Sequence, residues 1–250
     1  MTGTPRREGA HDTGTLDRGC GQNAATGTSR RAGAQDTVAM LHTVPALATS
    51  LTTLAKEVRP GARVLNFVDE SLLQDTIAAG DPPPHVLRRL IAYATYAKES
   101  GAGVLLVTCS SIGEAAERAR PYAELPVLRI DEPMADEAVR AGARIGVLAT
   151  LASTLGPTTR AVERAAARRE VAREVVPHLC EGAFEALRGG DAARHDALVL
   201  EGFAKLAGQV DVVVLAQASM ARIVEQAGDA GVPVLSSPRS GVAQLARQNG

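Results

Sequence analysis

Residues 103–114 read Gly-Val-Leu-Leu-Val-Thr-Cys-Ser-Ser-Ile-Gly-Glu, and residues 211–220 read Asp-Val-Val-Val-Leu-Ala-Gln-Ala-Ser-Met. Each opens on a nearly unbroken Val/Leu run, the mark of a parallel strand covered on both faces. Each then turns small and polar, as a strand does where it hands over to a helix. Aligned on their apolar runs, the two stretches set Cys109 opposite Gln217, 108 positions later.

The correspondence extends in both directions. Downstream, Leu125-Pro-Val-Leu matches Val232-Pro-Val-Leu; upstream, Val38-Ala-Met-Leu-His-Thr matches Ile145-Gly-Val-Leu-Ala-Thr. Three matches in the same order indicate two related halves. Candidate strands are Thr37–Leu41, Arg63–Val68, Gly103–Thr108, Val127–Ile130, Arg144–Ala149, Glu174–Val176, Asp211–Ala216 and Val232–Leu235. Between them lie amphipathic helices such as Val86–Ser100, entered through the rigid Asp81-Pro-Pro-Pro loop. Alternation of this kind predicts an α/β protein of two pseudo-symmetric αβ lobes, each with a mainly parallel sheet. The expected division is a disordered tail over 1–36, a first lobe over 37–140 and a second over 141–237. A terminal helix over 238–250 is expected to return to the first lobe. In tandem α/β halves a ligand sits between the carboxyl ends of the strands, which places the expected site at the lobe interface.

Composition narrows the function. With a net charge of −1 there is no electrostatic case for nucleic acid or an acidic membrane, and 2% aromatics leave few stacking platforms. No apolar run reaches the roughly 20 residues of a membrane span, and no apolar secretory leader is visible, so the expectation is a cytoplasmic protein. Cys20, Cys109 and Cys180 read as thiols and not as a disulfide framework. Cys20 lies in the tail and reads as incidental. Only Lys56, Lys98 and Lys205 stand against 24 arginines. Each falls within a helical pattern, which argues against a pyridoxal Schiff base. No Gly-rich dinucleotide loop, Walker loop or zinc spacing occurs. No cofactor and no metal are expected.

Cys109 is the candidate catalytic residue. It follows its strand directly, and Ser111 with Glu114 matches the S-x-x-E capping box. A helix N-terminus just beyond the thiol would favour the thiolate; the alternative is an inert core cysteine. Gln217, opposite it, offers amide donors and a carbonyl but no useful basicity. Thr43 and Thr150 end the first strand of each half, and their hydroxyls suit a substrate carboxylate, as do the groups at Ser110 and Ser111. Ala218 and Ser219 complete the candidate binding set, with plain helix capping or loop filling as the alternative for each. His42, beside Thr43, and Asp69, with Glu70 behind it, are supporting candidates; Ser71 as an N-cap would explain that turn without them. His178, Cys180 or His195 is an open alternative for a second proton carrier.

These residues resemble the aspartate/glutamate racemase superfamily, which includes hydantoin racemase, maleate isomerase and arylmalonate decarboxylase. The resemblance covers residues 37–250. It rests on Cys109-Ser110-Ser111, on Leu215-Ala-Gln-Ala-Ser-Met220, on Ile130-Asp-Glu-Pro-Met134 and on the internal repeat. It implies a cofactor-independent isomerase of the racemase or epimerase kind. Such an enzyme moves a proton at a carbon beside a carboxylate or carbonyl of a small acid, in a homo-oligomer. The two-base racemases carry one cysteine per lobe. Here Cys109 matches the first, Gln217 stands in place of the second, and Ser219 stands where glutamate racemases have a supporting His. His42-Thr43 replaces their Asp-Ser. A single thiol also fits a decarboxylase or lyase of the superfamily, whose arylmalonate member keeps its one cysteine in the other lobe, or a non-catalytic ligand-binding relative.

Overall fold

The computed structural model describes residues 36–217, 220, 223 and 231–248. Residues 1–35 with Cys20, Ala218 and Ser219, residues 221–222 and 224–230, and residues 249–250 lie outside the described residues.

Two four-stranded, all-parallel sheets form the framework. The first holds β1 (Thr37–His42), β2 (Arg63–Val68), β3 (Val104–Val107) and β4 (Val127–Arg129), in the order β2-β1-β3-β4. The second holds β5 (Arg144–Ala149), β6 (Glu174–Leu179), β7 (Val212–Leu215) and β8 (Val234–Ser236), in the matching order β6-β5-β7-β8. The inner strands are the Val/Leu runs of the repeat: every residue of β1, β3 and β7 is buried. At about 1.5–3 kcal/mol for each buried Val or Leu, these strands carry much of the stabilising apolar burial. The outer strands β2 and β6 are only half covered. β6 runs three residues further than expected, through Pro177-His178-Leu179. It is an edge strand, so the missing N–H of Pro177 can face away from β5 without breaking the ladder.

The crossovers are helical. In the first half these are α1 (Ala46–Val58), α2 (Glu70–Ala79), α3 (Pro84–Glu99) and α4 (Gly113–Ala119). Then come α5 (Glu132–Ala141), α6 (Ala152–Arg168), α7 (Ala183–Arg188), α8 (Ala192–Ala207) and α9 (Ser237–Ala243). Pro84 opens α3, its fixed φ and missing N–H suiting the first helical position.

The last helix of each half crosses to the other. Met134, Ala135, Ala138 and Val139 of α5 join the apolar cluster of β5 and β7. Val242 of α9, with Leu245 just beyond it, joins the cluster of β1 and β3. Arg59 donates to the Leu245 carbonyl at 3.1 Å and Gln244 to the Arg129 carbonyl at 2.8 Å, fastening the chain end to the first sheet. α5 and α9 also pack on each other. At Gly241 a Cβ would collide with the carbonyl and side chain of Ile130, so only glycine allows this approach.

Candidate active site

A cavity of about 520 Å³ opens at the carboxyl ends of the inner strands, between α1 and α2 of the first half and α7 of the second. Its floor is polar: Thr43, Thr108, Cys109, Ser110, Ser111, Thr154 and Gln217. Its walls are apolar, with Val44 and Leu47 from the start of α1, Leu73, Ile77 and Ala78 from α2, Phe184 and Leu187 from α7, and Leu151 and Ala216 between them. Glu70, Gln74 and Arg188 complete the lining.

Cys109 reaches the floor because β3 ends at Val107 and the chain stays extended for two residues before a 3-10 turn at Ser110–Ile112. That turn feeds α4. Burial pushes the Cys109 thiol up, outweighing the lowering influence of the Thr43 side chain, the N–H groups of Ile112 and Ser111, and the Ser111 hydroxyl. The expected lowering by a helix start is therefore corrected: the amides are present, but desolvation exceeds them and favours the neutral thiol. The Thr43 hydroxyl is close enough to influence the sulfur but makes no hydrogen bond of good geometry with any protein atom.

The capping box is also corrected. Ser111 Oγ pairs with Thr154 Oγ1 on α6 at 2.7 Å. Glu114 accepts two bonds from Arg160 and one from Arg164, all between 2.7 and 3.0 Å. Ser111 from the 3-10 turn and Glu114 from α4 thus both link the first lobe to α6. The Arg160 hydrogen bonds are the largest influence on Glu114, and with Arg164 they bring its carboxyl down to about 2 against the opposing effect of burial. Beneath this contact, the buried Arg129 guanidinium grips Asp131 through two bonds of 2.7 and 2.9 Å and Glu117 through one of 2.8 Å. It also packs against Gly113, where a Cβ would come within 2.6 Å of Arg129 Nε.

Gln217 lines the cavity, but both ends of its amide are engaged. Oε1 accepts from the Thr150 N–H at 2.8 Å, and Nε2 donates to Thr150 Oγ1 at 2.7 Å. Thr150 spends its polar atoms on that bridge and is not part of the lining, which corrects its expected contact with substrate.

The supporting candidates sit further back. His42 is fully buried behind the floor. Its Nδ1 meets Thr108 Oγ1 and its Nε2 meets Asn66 Oδ1, both at 2.9 Å. Asn66 donates its amide to Thr52 at 3.0 Å, and the Thr108 hydroxyl beside His42 also donates to the Leu41 carbonyl at 3.0 Å. Burial lowers the His42 pKa more than the Asn66 bond raises it, so the ring is neutral and steadies Thr108. Asp69 is turned away from the cavity: Oδ1 accepts from Ser71 at 2.7 Å, while Oδ2 takes Tyr93 at 2.8 Å and Arg89. Desolvation works against its charge, but Ser71, Tyr93 and Arg89 together hold the carboxyl below its ordinary range. It ties α2 to α3 and orients nothing on Cys109; its neighbour Glu70 lines the cavity instead.

No second thiol or imidazole reaches the described lining. Cys180 lies in the apolar cluster around β7 and α8, with its thiol pushed by burial up to about 11. His195 is wholly buried with Nδ1 2.7 Å from Asp196, and neither it nor His178 borders the cavity. The open alternative for a second proton carrier is thereby removed. Among the described residues no group of His, Cys, Asp and Glu is arranged to hold a metal ion, and no helix is long and apolar enough to cross a membrane.

Thr108, Thr154, Arg188 and the α2 and α7 walls were not anticipated. Leu73 with Ile77 and Phe184 with Leu187 follow ordinary helical spacing, which reads the same whether a face meets a core or a cavity. Thr154 had no local signal, because its partner Ser111 lies 43 residues away.

The model for the Asp/Glu/Hydantoin racemase family matches residues 27–245. Among solved structures, a glutamate racemase from Bacillus anthracis superposes with a TM-score of 0.65 at 17% identity, covering 85% of this chain and 80% of that one. A glutamate racemase from Francisella tularensis, solved with D-glutamate, gives 0.68 at 12% identity, covering 86% and 80%. Allantoin racemase from Klebsiella pneumoniae gives 0.63 at 20% identity, covering 85% and 86%. At these identities the likeness is one of fold. No curated protein matches the sequence.

Proposed function

This chain belongs to the Asp/Glu/Hydantoin racemase family, and on that premise we propose that it moves a proton at a carbon beside a carboxylate or carbonyl of a small acid, with Cys109 as its one catalytic thiol. Membership supports an isomerase-type role. The observation that carries the finer reading is Cys109 on the floor of the interlobe cavity, between the Thr43 hydroxyl and the Ser110–Ser111 turn.

In the isomerase reading no cofactor takes part. The Cys109 thiolate removes the α-proton; the C–H electron pair passes into an enolate, and an S–H bond forms. Thr43 Oγ1 and the second amide proton of Gln217 are the donors available to the enolate or carboxylate oxygens. A thiolate reached from a raised pKa is a stronger base, which offsets part of the loss from its small population at neutral pH. Gln217 cannot return a proton to the opposite face, so that proton comes from water entering by the cavity mouth, and the hydroxide left behind takes the proton from Cys109 S–H, restoring the thiolate and a water.

A second reading is favoured by two specific observations, the neutral thiol and the engaged Gln217 amide. In a decarboxylase, carbon dioxide leaves with cleavage of the C–C bond, and the electron pair remains as an enolate. The Cys109 S–H then protonates that carbon once, and water restores the thiol.

Incubation in deuterated water with amino acids, hydantoins, malonates and maleate separates the two. The isomerase reading expects deuterium at the α-carbon, or a changed configuration, without net loss of mass. The lyase reading expects carbon dioxide release and one stereospecific deuterium. Inertness of the folded protein toward the whole panel would leave the non-catalytic relative as the answer.

A further inference from the structure

We propose that the cavity selects a carbon acid whose α-substituent is apolar, with the bulk of a branched aliphatic or phenyl group, and rejects one that ends in a second carboxylate. This rests on the proton-transfer reading of the same site and names its substrate class.

The cavity is divided in two. On the floor the acidic end of a substrate has polar partners around Cys109, Thr43 and Ser110; the rest of the described lining offers only Gln74, Glu70 and Arg188. Whatever the α-carbon carries must point toward the walls, where Leu73 and Ile77 of α2 face the same space as Phe184 and Leu187 of α7. Ile77 is 39% exposed, one of few large apolar side chains left so open. An apolar substituent would cover it, gaining about 0.8 kcal/mol for each methylene taken out of water. A carboxylate in that position would lose hydration among carbon atoms, and it gains only where a cation answers it.

Arg188 is the single cation of the described lining, and it does not make the wall anionophilic. Its guanidinium lies over the Phe184 ring, 5.9 Å from the centroid. Glu70 lines the same cavity with the opposite charge. A distal carboxylate would therefore meet one attraction and one repulsion, with Gln74 the one neutral polar side chain among the apolar residues of the described walls.

The test uses two probes of known chemistry and the full-length protein. Isothermal titration compares phenylacetate, an acid with one apolar arm, with succinate, an acid with two charged ends. Phenylacetate is expected to bind at least tenfold more tightly, and Leu187→Glu is expected to erase that preference. Thermal melting of the variant verifies that it folds; Ile77→Lys serves as the second variant should Leu187→Glu not fold. Equal binding of the probes, tighter succinate, no detectable binding, or a preference untouched in the folded variant overturns the proposal.

Deuterium uptake from phenylalanine and glutamate, and from hydantoins bearing benzyl and carboxyethyl groups, separates this inference from the function beneath it. Cys109-dependent uptake confined to the dicarboxylate-type members sinks the substrate class and leaves the proton-transfer reading standing. Phenylacetate preference without Cys109-dependent uptake from any member supports the cavity's selectivity and sinks that reading.

Discussion

Gln217 clasps Thr150 with both ends of its amide, just as Cys109, at the matching strand end of the other half, lies beside Thr43. The backbone around each pair is built alike: Thr108 N–H bonds the Leu41 carbonyl at 3.0 Å, and Ala216 N–H bonds the Leu148 carbonyl at 2.9 Å. One half turns its threonine hydroxyl toward the cysteine sulfur; the other consumes it in a side-chain bridge. The pseudo-symmetry of the fold is thus preserved while the chemistry of the two faces differs.

Gln217→Ala leaves the Thr150 N–H buried without its acceptor and is expected to cost about 1–3 kcal/mol in urea unfolding. Gln217→Cys restores a thiol opposite Cys109 and is expected to allow protonation from both faces. Its signature is loss of stereospecificity in α-deuterium uptake, read by NMR with a chiral resolving agent. Uptake that stays one-sided in a folded Gln217→Cys protein would mean that this position does not face the reacting carbon.

The pH profile distinguishes base from acid. Burial raises the Cys109 thiol above its ordinary value of 9.0. If the thiolate is the working base, kcat/KM rises about tenfold per pH unit through neutrality, with no plateau below pH 9. If the thiol is the working acid, kcat/KM is flat over that range and falls only above it. A plateau beginning near pH 7 would contradict both, because it requires a lowered thiol pKa.

Glu114 gives an acid-side prediction. Its carboxyl lies near 2 in the folded chain against an ordinary 4.5. A depressed folded value means stability that is present above pH 4.5 and lost as pH falls toward 2. Because the Arg160 side of the contact is partly exposed, the contribution is discounted to about 1–2 kcal/mol. Glu114→Gln should lower the urea midpoint at pH 7 and flatten its fall between pH 4.5 and 2. An unchanged acid limb would show that the contact between α4 and α6 carries no such coupling.

Gly241→Ala puts a methyl group into the Ile130 backbone, where no side-chain rotation can relieve it. Overpacking of this kind costs about 1–3 kcal/mol. Gly208→Ala, with nothing within 4 Å of its Cβ position, is the matched control and should leave stability within about 0.5 kcal/mol of the parent. Chemical denaturation of both variants checks the pair.

The strands and their parallel pairing were legible because burial on both faces writes unbroken Val and Leu runs, and because the chain states the pattern twice; the order within each sheet was not. The position of Cys109 followed from the same logic, since a parallel strand delivers its last residue to the ligand side. What the sequence concealed were partners distant along the chain. Ser111 and Glu114 have the local spacing of a cap, yet α6 lies close enough to claim both. Asp69 follows a strand as a catalytic acid would, but Arg89, 20 residues on, turns it into a strut. The apolar wall carries no signal of its own, because a helix face looks identical whether protein or ligand covers it.

The account stands on Cys109, and the most direct measurement is α-deuterium uptake by Cys109→Ala beside the parent, with urea unfolding of both. The variant is expected to stay folded, since it removes a sulfur whose burial opposes its ionisation, and to lose at least about 10²-fold in exchange, the lower range for a positioned acid–base group. A Cys109→Ala protein that folds and exchanges at the parent rate would contradict the account.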